Sequence, residues 1–299
     1  MINDKLNART MLVSLKIGQP PKTKADKQAA VQLVVDNAAD VQRAEEAFAV
    51  RQVLLSKDLF SDCTAAVSAA RNYHRDNTLP WLDIGARIIT AEHYLAYRQQ
   101  MQAFESDYLH AADAFVAAYP FVREDAERRL GKAFSPHDFP SVEEIQRRFY
   151  FEVKASSLGD AEDFRADLPD DILEEIRAEI TSDTNAALRD ATAHAFQRMH
   201  DAIAHMNERL SAFKIDATTG KRSGVFRDSL VENIAELAAV LPALNVARDP
   251  ELDRMARAMM DKLTKHDGDT LRDSEVARQE TLDATAELLG EMANFRAVA

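Results

Sequence analysis

Residues 170–219 read DDILEEIRAEITSDTNAALRDATAHAFQRMHDAIAHMNERLSAFKIDATT, a run without glycine or proline. Apolar side chains recur along its second half in steps that average about 3.6 residues, the period of one face of an α-helix. This apolar stripe consists of Leu188, Ala191, Ala195, Met199, Ile203, Met206, Leu210 and Phe213. The pattern predicts a long helix whose stripe faces the core of a helical bundle. A coiled coil, in which the stripe faces a partner helix, is the alternative interpretation.

The composition extends this prediction to most of the chain. The 299 residues include fifty alanines but only 8 glycines and 9 prolines, and alanine is the strongest helix former. Two further runs, 22–79 and 86–119, also lack glycine and proline. A helix of about 48 residues would be roughly 70 Å long, whereas a compact chain of this size is about 50 Å across. We therefore predict a mainly α protein, an elongated helical bundle with long antiparallel coiled-coil-like helices.

Two segments predict a small two- or three-stranded β element. Met11–Ile17 alternates between apolar and polar residues and stops at Gly18, and Phe149–Lys154 is aromatic and β-branched. A third segment, Phe164–Leu168, could lie beside them. The resulting organisation is one continuous elongated domain with an N-terminal segment carrying a short strand (1–21), a long helical hairpin (22–130), a punctuated segment with short strands (131–169) and C-terminal helices (170–299).

The charge and the cysteine content narrow the classes of partner and compartment. Lys and Arg number 37 against 50 Asp and Glu, a net charge of -13, which disfavours nucleic-acid binding because phosphate contacts need a basic surface. No run approaches eighteen apolar residues, so a membrane is not expected. The first residues lack the apolar stretch of a signal peptide, and the single Cys63 cannot form an internal disulfide. A cytoplasmic protein is the prediction.

The segment TLPWLDIGAR (78–87) contains the only tryptophan and lies between two helical runs. With Pro80 at a helix start, Trp81 as a packing anchor and Asp83 paired with Arg87 at i,i+4, it predicts a hinge between antiparallel helices. Alternatively, Trp81 with Asp83 and Arg87 forms a contact surface for a partner protein. An active site here would lack a nucleophile or a metal cluster.

The loop TTGKRSG (218–224) has some features of a phosphate-binding loop but not its pattern. Ile215 stands where the first glycine of that motif belongs, and Arg222 stands where Ser or Thr belongs. The loop is therefore interpreted as a flexible basic turn between helices. If it acts, Lys221 and Arg222 are the candidates for contact with an acidic partner surface.

No residue pattern indicates catalysis, a cofactor or a metal. His194, His200 and His205 are spaced by six and five residues, which places them on different faces of a helix, and a single cysteine excludes a cysteine-based zinc site. The Gly-x-Ser-x-Gly pattern of a nucleophile elbow is also missing. Acidic residues concentrate between Asp160 and Asp183, and basic residues predominate over residues 1–30. These segments are interpreted as solvated faces, or alternatively as complementary ends that steer self-assembly.

Several motifs together resemble a helical family of unknown function encoded by tailed phages, prophages and some bacteria. The likeness runs from about residue 10 to residue 265. The residues that carry it are Val13–Ile17, Lys24–Lys27, the Trp81 segment just described, Asp138–Ser141, Asp163–Arg165, Phe226–Val231 with Asn233, and Leu241–Asn245. Members are often encoded near MoxR-type AAA+ ATPases and von Willebrand A-type proteins. The resemblance implies no catalytic residues, and it adds Arg227 and Asp228 as candidate partner contacts.

These observations lead to the expectation of a non-enzymatic phage or prophage interaction protein in the host cytoplasm, an adaptor or partner of a MoxR-type AAA+ ATPase. One alternative is a nucleic-acid-associated factor in phage replication or counter-defence, with the N-terminal lysines and Lys221 and Arg222 as its contacts. Another is a self-assembling structural protein, a homo-oligomer built through the alanine-rich stripes. The last alternative is an enzyme whose catalytic residues are far apart in the sequence and come together in the folded protein.

Overall fold

The computed structural model describes residues 6–37, 48–55, 58–82, 85–159, 161, 166, 168–215 and 222–296. Within them the chain is mainly α with a small β element, as the composition predicts. Nine α-helices are present in this described part: α1 Lys27–Asp36, α2 Ser61–Asp76, α3 Ala91–Leu130, α4 Val142–Gln146, α5 Asp170–Ala212, α6 Ser229–Leu244, α7 Pro250–Leu263, α8 Gly268–Asp273 and α9 Glu275–Arg296. None of these described helices is long and apolar enough to span a membrane.

The β structure is more extensive than the two or three strands predicted. The described strands are β1 Thr10–Gly18, β2 Thr23–Ala25, β3 Arg51–Val53, β4 Leu79–Pro80, β5 Arg87–Thr90, β6 Tyr150–Ser157, β7 Lys214–Ile215 and β8 Arg222–Ser223. They form a four-stranded sheet in the order β4-β5-β1-β6 and two separate pairs, β2-β3 and β7-β8. The predicted strands at 11–17 and 149–154 correspond to β1 and β6. Of the third predicted strand, Phe164, Arg165 and Asp167 lie outside the described residues.

Helix α5 confirms the long helix predicted from the apolar stripe. It begins at Asp170, directly after Pro169, with Asp170 and Asp171 in the first turn, where their negative charges face the positive end of the helix dipole. The stripe from Ala191 to Leu210 is buried. In the fold, α5 packs against α9 and α6, and α6 packs against α7.

The run from Lys22 to Leu79 contains strands as well as helices, which corrects the helical run predicted there. Strand β2 pairs with β3 in this run, with Thr23 opposite Val53. The side chain of Asp26 then accepts a hydrogen bond from the Ala29 N–H at 2.9 Å and begins α1. Because β-branched residues favour a strand and aspartate favours a helix N-cap, the local chemistry overrides the absence of glycine and proline.

The chain divides into two compact units. The first comprises Met1–Ser14, Arg75–Tyr97 and Ala155–Ala299, and the second comprises Leu15–His74 and Arg98–Lys154. In the first unit, buried aliphatic and methionine side chains of the long C-terminal helices form one core that includes Met199, Ile203 and Trp81. In the second unit, aromatic rings from separate elements pack together, among them Phe60, Phe115 and Phe149.

Candidate functional site

The Trp81 segment lies in the core of the first unit. The Trp81 side chain is 2% exposed and packs in the same cluster as Leu79 and Ile88. The sequence predicts that Pro80 starts a helix, and this is wrong. Pro80 lies in the edge strand β4 and pairs with Arg87 of β5. An edge strand tolerates proline because one side of the strand donates no hydrogen bond to the sheet. The burial of Trp81 favours its interpretation as a packing anchor, and contact with a partner stays a prediction.

Arg87 holds the connection between α2 and β4. Its Nε donates to the Thr78 hydroxyl at 2.6 Å, and its Nη2 donates to the carbonyl oxygens of Thr78 at 2.8 Å and Arg75 at 3.2 Å. Burial, followed by the nearby charges of Arg198 and Arg75, lowers the pKa of the Arg87 guanidinium. The residue predicted to pair with it, Asp83, lies outside the described residues. The visible role of Arg87 is to organise backbone carbonyls.

The basic loop ends in the short hairpin of β7 and β8. Lys221 lies outside the described residues, whereas Arg222 is exposed and donates from Nη2 to the Asp273 carboxylate at 2.7 Å. Gly224 follows with a φ of +80°, and a Cβ there would lie 2.5 Å from the Ala212 carbonyl oxygen. This position requires glycine because the conformation is left-handed and the backbone of α5 is in contact.

Arg227 and Asp228 precede α6, and Asp228 contacts the short helix α8. The Asp228 carboxylate accepts a hydrogen bond from Arg272 Nη2 at 2.5 Å. Arg272 also lies over the Phe226 ring, 5.7 Å from its centroid, and its two carboxylate partners raise the pKa of its guanidinium. A Cβ at Gly268 would lie 2.3 Å from Asp228 Oδ1. Glycine at the start of α8 therefore permits this close approach.

Helix α8 thus brings together two motifs that the sequence suggested separately. We call this surface the α8 patch, defined by Arg222, Val225, Arg227, Asp228, Asp269, Arg272 and Asp273. Arg222 and Arg227 are exposed, and Val225 between them is 78% exposed. No sequence motif indicates the α8 residues, because they lie more than 40 positions beyond Asp228 and meet it only through the fold.

A second site, which no sequence motif indicates, is a cavity of about 570 Å³ in the first unit. We call it the arginine pocket. Its walls come from the residues before β1, the start of α3, the end of α6 and the first turns of α7. The residues that line it include Arg9, Thr90, Ala91, Glu92, Pro242, Val246, Arg248, Asp253 and Arg257. Three arginines and two carboxylates line this one cavity, so its wall is strongly charged.

Asn245 shapes the α6–α7 connection that forms one wall of this pocket. Its side-chain amide donates to the Asp249 carbonyl oxygen and to Asp253 Oδ1, both at 2.8 Å, and its Oδ1 accepts from the Asp249 N–H at 2.8 Å. Asp249 in turn caps α7 through its side chain. These bonds hold the connection in a fixed conformation in which Arg248 has a φ of +56°.

Arg9 is the inner arginine of the pocket. Its Nε is shielded from solvent and has no hydrogen-bond partner among the described residues. Burial and the charge of Arg248 lower the pKa of the Arg9 guanidinium. The backbone carbonyl of Arg9 accepts from the Ala91 N–H at 2.7 Å, which fixes Arg9 beside the N-terminus of α3.

The described residues include no group of three or more His, Cys, Asp and Glu side chains that could hold a metal ion. Cys63 is buried on α2, and burial raises the pKa of its thiol. Because the thiolate is the reactive form, this environment does not activate Cys63 as a nucleophile.

Comparisons with family models, with curated proteins and with solved structures found no match to this chain.

Proposed function

We propose that this chain is a non-enzymatic interaction protein of a phage or prophage, an adaptor or partner of a MoxR-type AAA+ ATPase. The ATPase is proposed as the partner because members of the family that the sequence resembles are often encoded near such ATPases. The contact surface is the α8 patch.

One observation carries the proposal: the α8 patch combines exposed charges of both signs with an exposed apolar side chain. Arg222 and Arg227 flank Val225, and the carboxylates of Asp269 and Asp273 lie on the adjacent α8. Mixed charges around a small apolar centre support specific, reversible contact with another protein, since charge complementarity selects the partner and apolar burial contributes affinity.

The test is capture of partners by tagged protein from native host lysate, with and without ATP, followed by mass spectrometry. The proposal expects an AAA+ ATPase whose recovery depends on nucleotide. Recovery of the chain alone would contradict the adaptor function and support the self-assembling alternative.

Charge reversal locates the contact. The double variant Arg222→Glu, Arg227→Glu should lose the ATPase, because the two exposed arginines of the patch become negatively charged. The matched control is Arg189→Glu, which changes an exposed arginine on α5 and should retain the ATPase. Equal recovery by the double variant and the control would exclude the α8 patch as the contact surface.

A further inference from the structure

The charges of the arginine pocket are not neutralised within the protein. Three guanidinium groups, from Arg9, Arg248 and Arg257, face two carboxylates, from Glu92 and Asp253, a surplus of one positive charge. Within the described residues, none of the three guanidinium groups lies within 4.0 Å of a carboxylate oxygen or makes a hydrogen bond. Arg9 is half-buried, whereas Arg248 and Arg257 are exposed. Three like charges that line one cavity without a carboxylate partner repel one another, so this cluster favours an anionic ligand.

Backbone strain at Arg248 is an independent indication. Its φ of +56° lies in the left-handed region, which favours glycine and which a long side chain occupies only at a cost. The Asn245 bonds hold this conformation. Strain of this kind concentrates at ligand sites, and here it places an arginine where glycine would relieve it.

The remaining walls fit a phosphate better than a simple carboxylate. Thr90, Ala91 and Glu92 form the N-terminal end of the 40-residue helix α3, and the positive end of a helix dipole favours a negative group. Three planar guanidinium forks suit an ion with several equivalent oxygens. The volume of about 570 Å³ exceeds the space that a phosphate alone fills, and Pro242 and Val246 add an apolar wall.

We propose that the arginine pocket is a binding site for a phosphate group, with Arg9, Arg248 and Arg257 as its ligands. The phosphate comes either from free inorganic phosphate or from a small phosphomonoester whose organic part lies along Pro242 and Val246. This site is separate from the α8 patch, so the two proposals fail independently.

Calorimetric titration of the full chain tests the site, with inorganic phosphate, AMP and acetate as probes at matched ionic strength. The proposal expects saturable one-to-one binding of phosphate or AMP, with a Kd of roughly 1 mM or tighter, and no saturable binding of acetate. AMP binding at least about tenfold tighter than phosphate, some 1.4 kcal/mol, identifies a phosphomonoester, whereas equal affinities identify free phosphate. Equal binding of acetate, or no saturable binding by any probe, would overturn the proposal.

Substitutions assign the binding to this pocket. Arg257→Gln changes an exposed side chain that has no hydrogen bond in the described part of the protein, so its fold should persist. Its affinity for phosphate should fall about tenfold or more, the usual effect of losing a hydrogen bond to a charged group. Arg189→Gln, which lines a different cavity, is the control and should bind like the parent. Unchanged affinity in Arg257→Gln would exclude the pocket.

Arg248→Gly separates binding from a structural role. Glycine relieves the left-handed strain, so the Tm should rise while the phosphate affinity falls about tenfold or more. A purely structural Arg248 would give a lower Tm with unchanged affinity, which would contradict its role as a ligand.

Discussion

The cores of the two units differ in chemistry. In the first unit, alanine, leucine and methionine side chains line long helices, and Met199, Ile203 and Met206 of α5 are completely buried. In the second unit, aromatic rings meet from a short 3₁₀ turn, a long helix and the segment before a strand. The rings of Phe60 and Phe115 pack edge to face, with centroids 5.0 Å apart, and Phe149 lies against both.

This difference has a consequence for how each core tolerates change. Small and flexible side chains along parallel stripes can adjust when one neighbour changes. Rings that pack in a fixed mutual orientation cannot, since each one contributes a large area and a specific geometry. We therefore expect the second unit to be the more sensitive of the two to substitution.

Phe60→Ala should give the largest loss. Phe60 is 1% exposed and contacts two other rings, and Lys22 Nζ lies 4.8 Å from its centroid. Removing a buried phenylalanine costs about 3–5 kcal/mol in the free energy of unfolding, measured by urea denaturation. The control is Phe121→Ala, whose ring is 73% exposed and should matter little. Comparable losses in both variants would show that the ring cluster does not stabilise the second unit.

Tyr108→Phe should give the next largest loss. The Tyr108 hydroxyl donates a hydrogen bond to the Gly18 carbonyl oxygen, and burial raises the pKa of this phenol. Deleting the hydroxyl leaves that carbonyl without its donor and should lower the free energy of unfolding by about 1–2 kcal/mol. In Tyr150→Phe the ring is half exposed, and the change should be within about 0.5 kcal/mol. A Tyr108 variant as stable as the parent would argue against the bond.

Met199→Leu tests the tolerance of the first unit. Met199 is fully buried in the α5 stripe, and an exchange that conserves volume should cost less than about 1.5 kcal/mol. Phe60→Leu is the matched exchange in the second unit and should cost more, because it removes the ring contacts. Thermal and urea denaturation of both variants measure the difference. If Met199→Leu proves the more damaging, the comparison between the two cores is wrong.

The smallest expected effect is a change in pH dependence at His93. Its Nε2 lies 2.9 Å from the Asn77 side-chain oxygen, and burial lowers the pKa of the imidazole. The pKa of histidine in the unfolded chain is about 6.5. As pH drops through this value, the unfolded chain takes up the proton before the folded protein does, so the free energy of unfolding falls as pH drops. In His93→Gln the free energy of unfolding should decline less between pH 7 and pH 5, and at pH 8 it should equal that of the parent. An unchanged slope in urea titrations would contradict the assignment.

The sequence predicted those elements whose information lies within a few turns of the chain. The α5 stripe repeats every three or four residues, and β1 alternates from Val13 to Ile17, so the sequence predicts both correctly. Strand β5 carried a usable signal, the β-branched residues Ile88, Ile89 and Thr90, but the absence of glycine and proline favoured a helix there. The run 22–79 was misassigned for the same reason.

The two surfaces were only partly predictable. Arg222 and Asp228 were chosen from motifs, whereas their partners on α8 had no local pattern. The residues of the arginine pocket form no local sequence pattern, because Arg9 and Arg248 are separated by most of the chain. They approach each other only through the β1–β5 pairing and the packing of α6 on β5. A cluster of scattered arginines in an acidic chain has no periodicity that a sequence could reveal.

Pro80 also limits strand addition at one edge of the four-stranded sheet. Strand β4 is two residues long and lies at one edge of the four-stranded sheet. One of its two residues, Pro80, has no backbone N–H group. An incoming strand would find no continuous row of donors there, so the edge is poorly suited to growth by strand addition. The same residue that was expected to start a helix thus makes this one edge of the sheet a poor template for another strand.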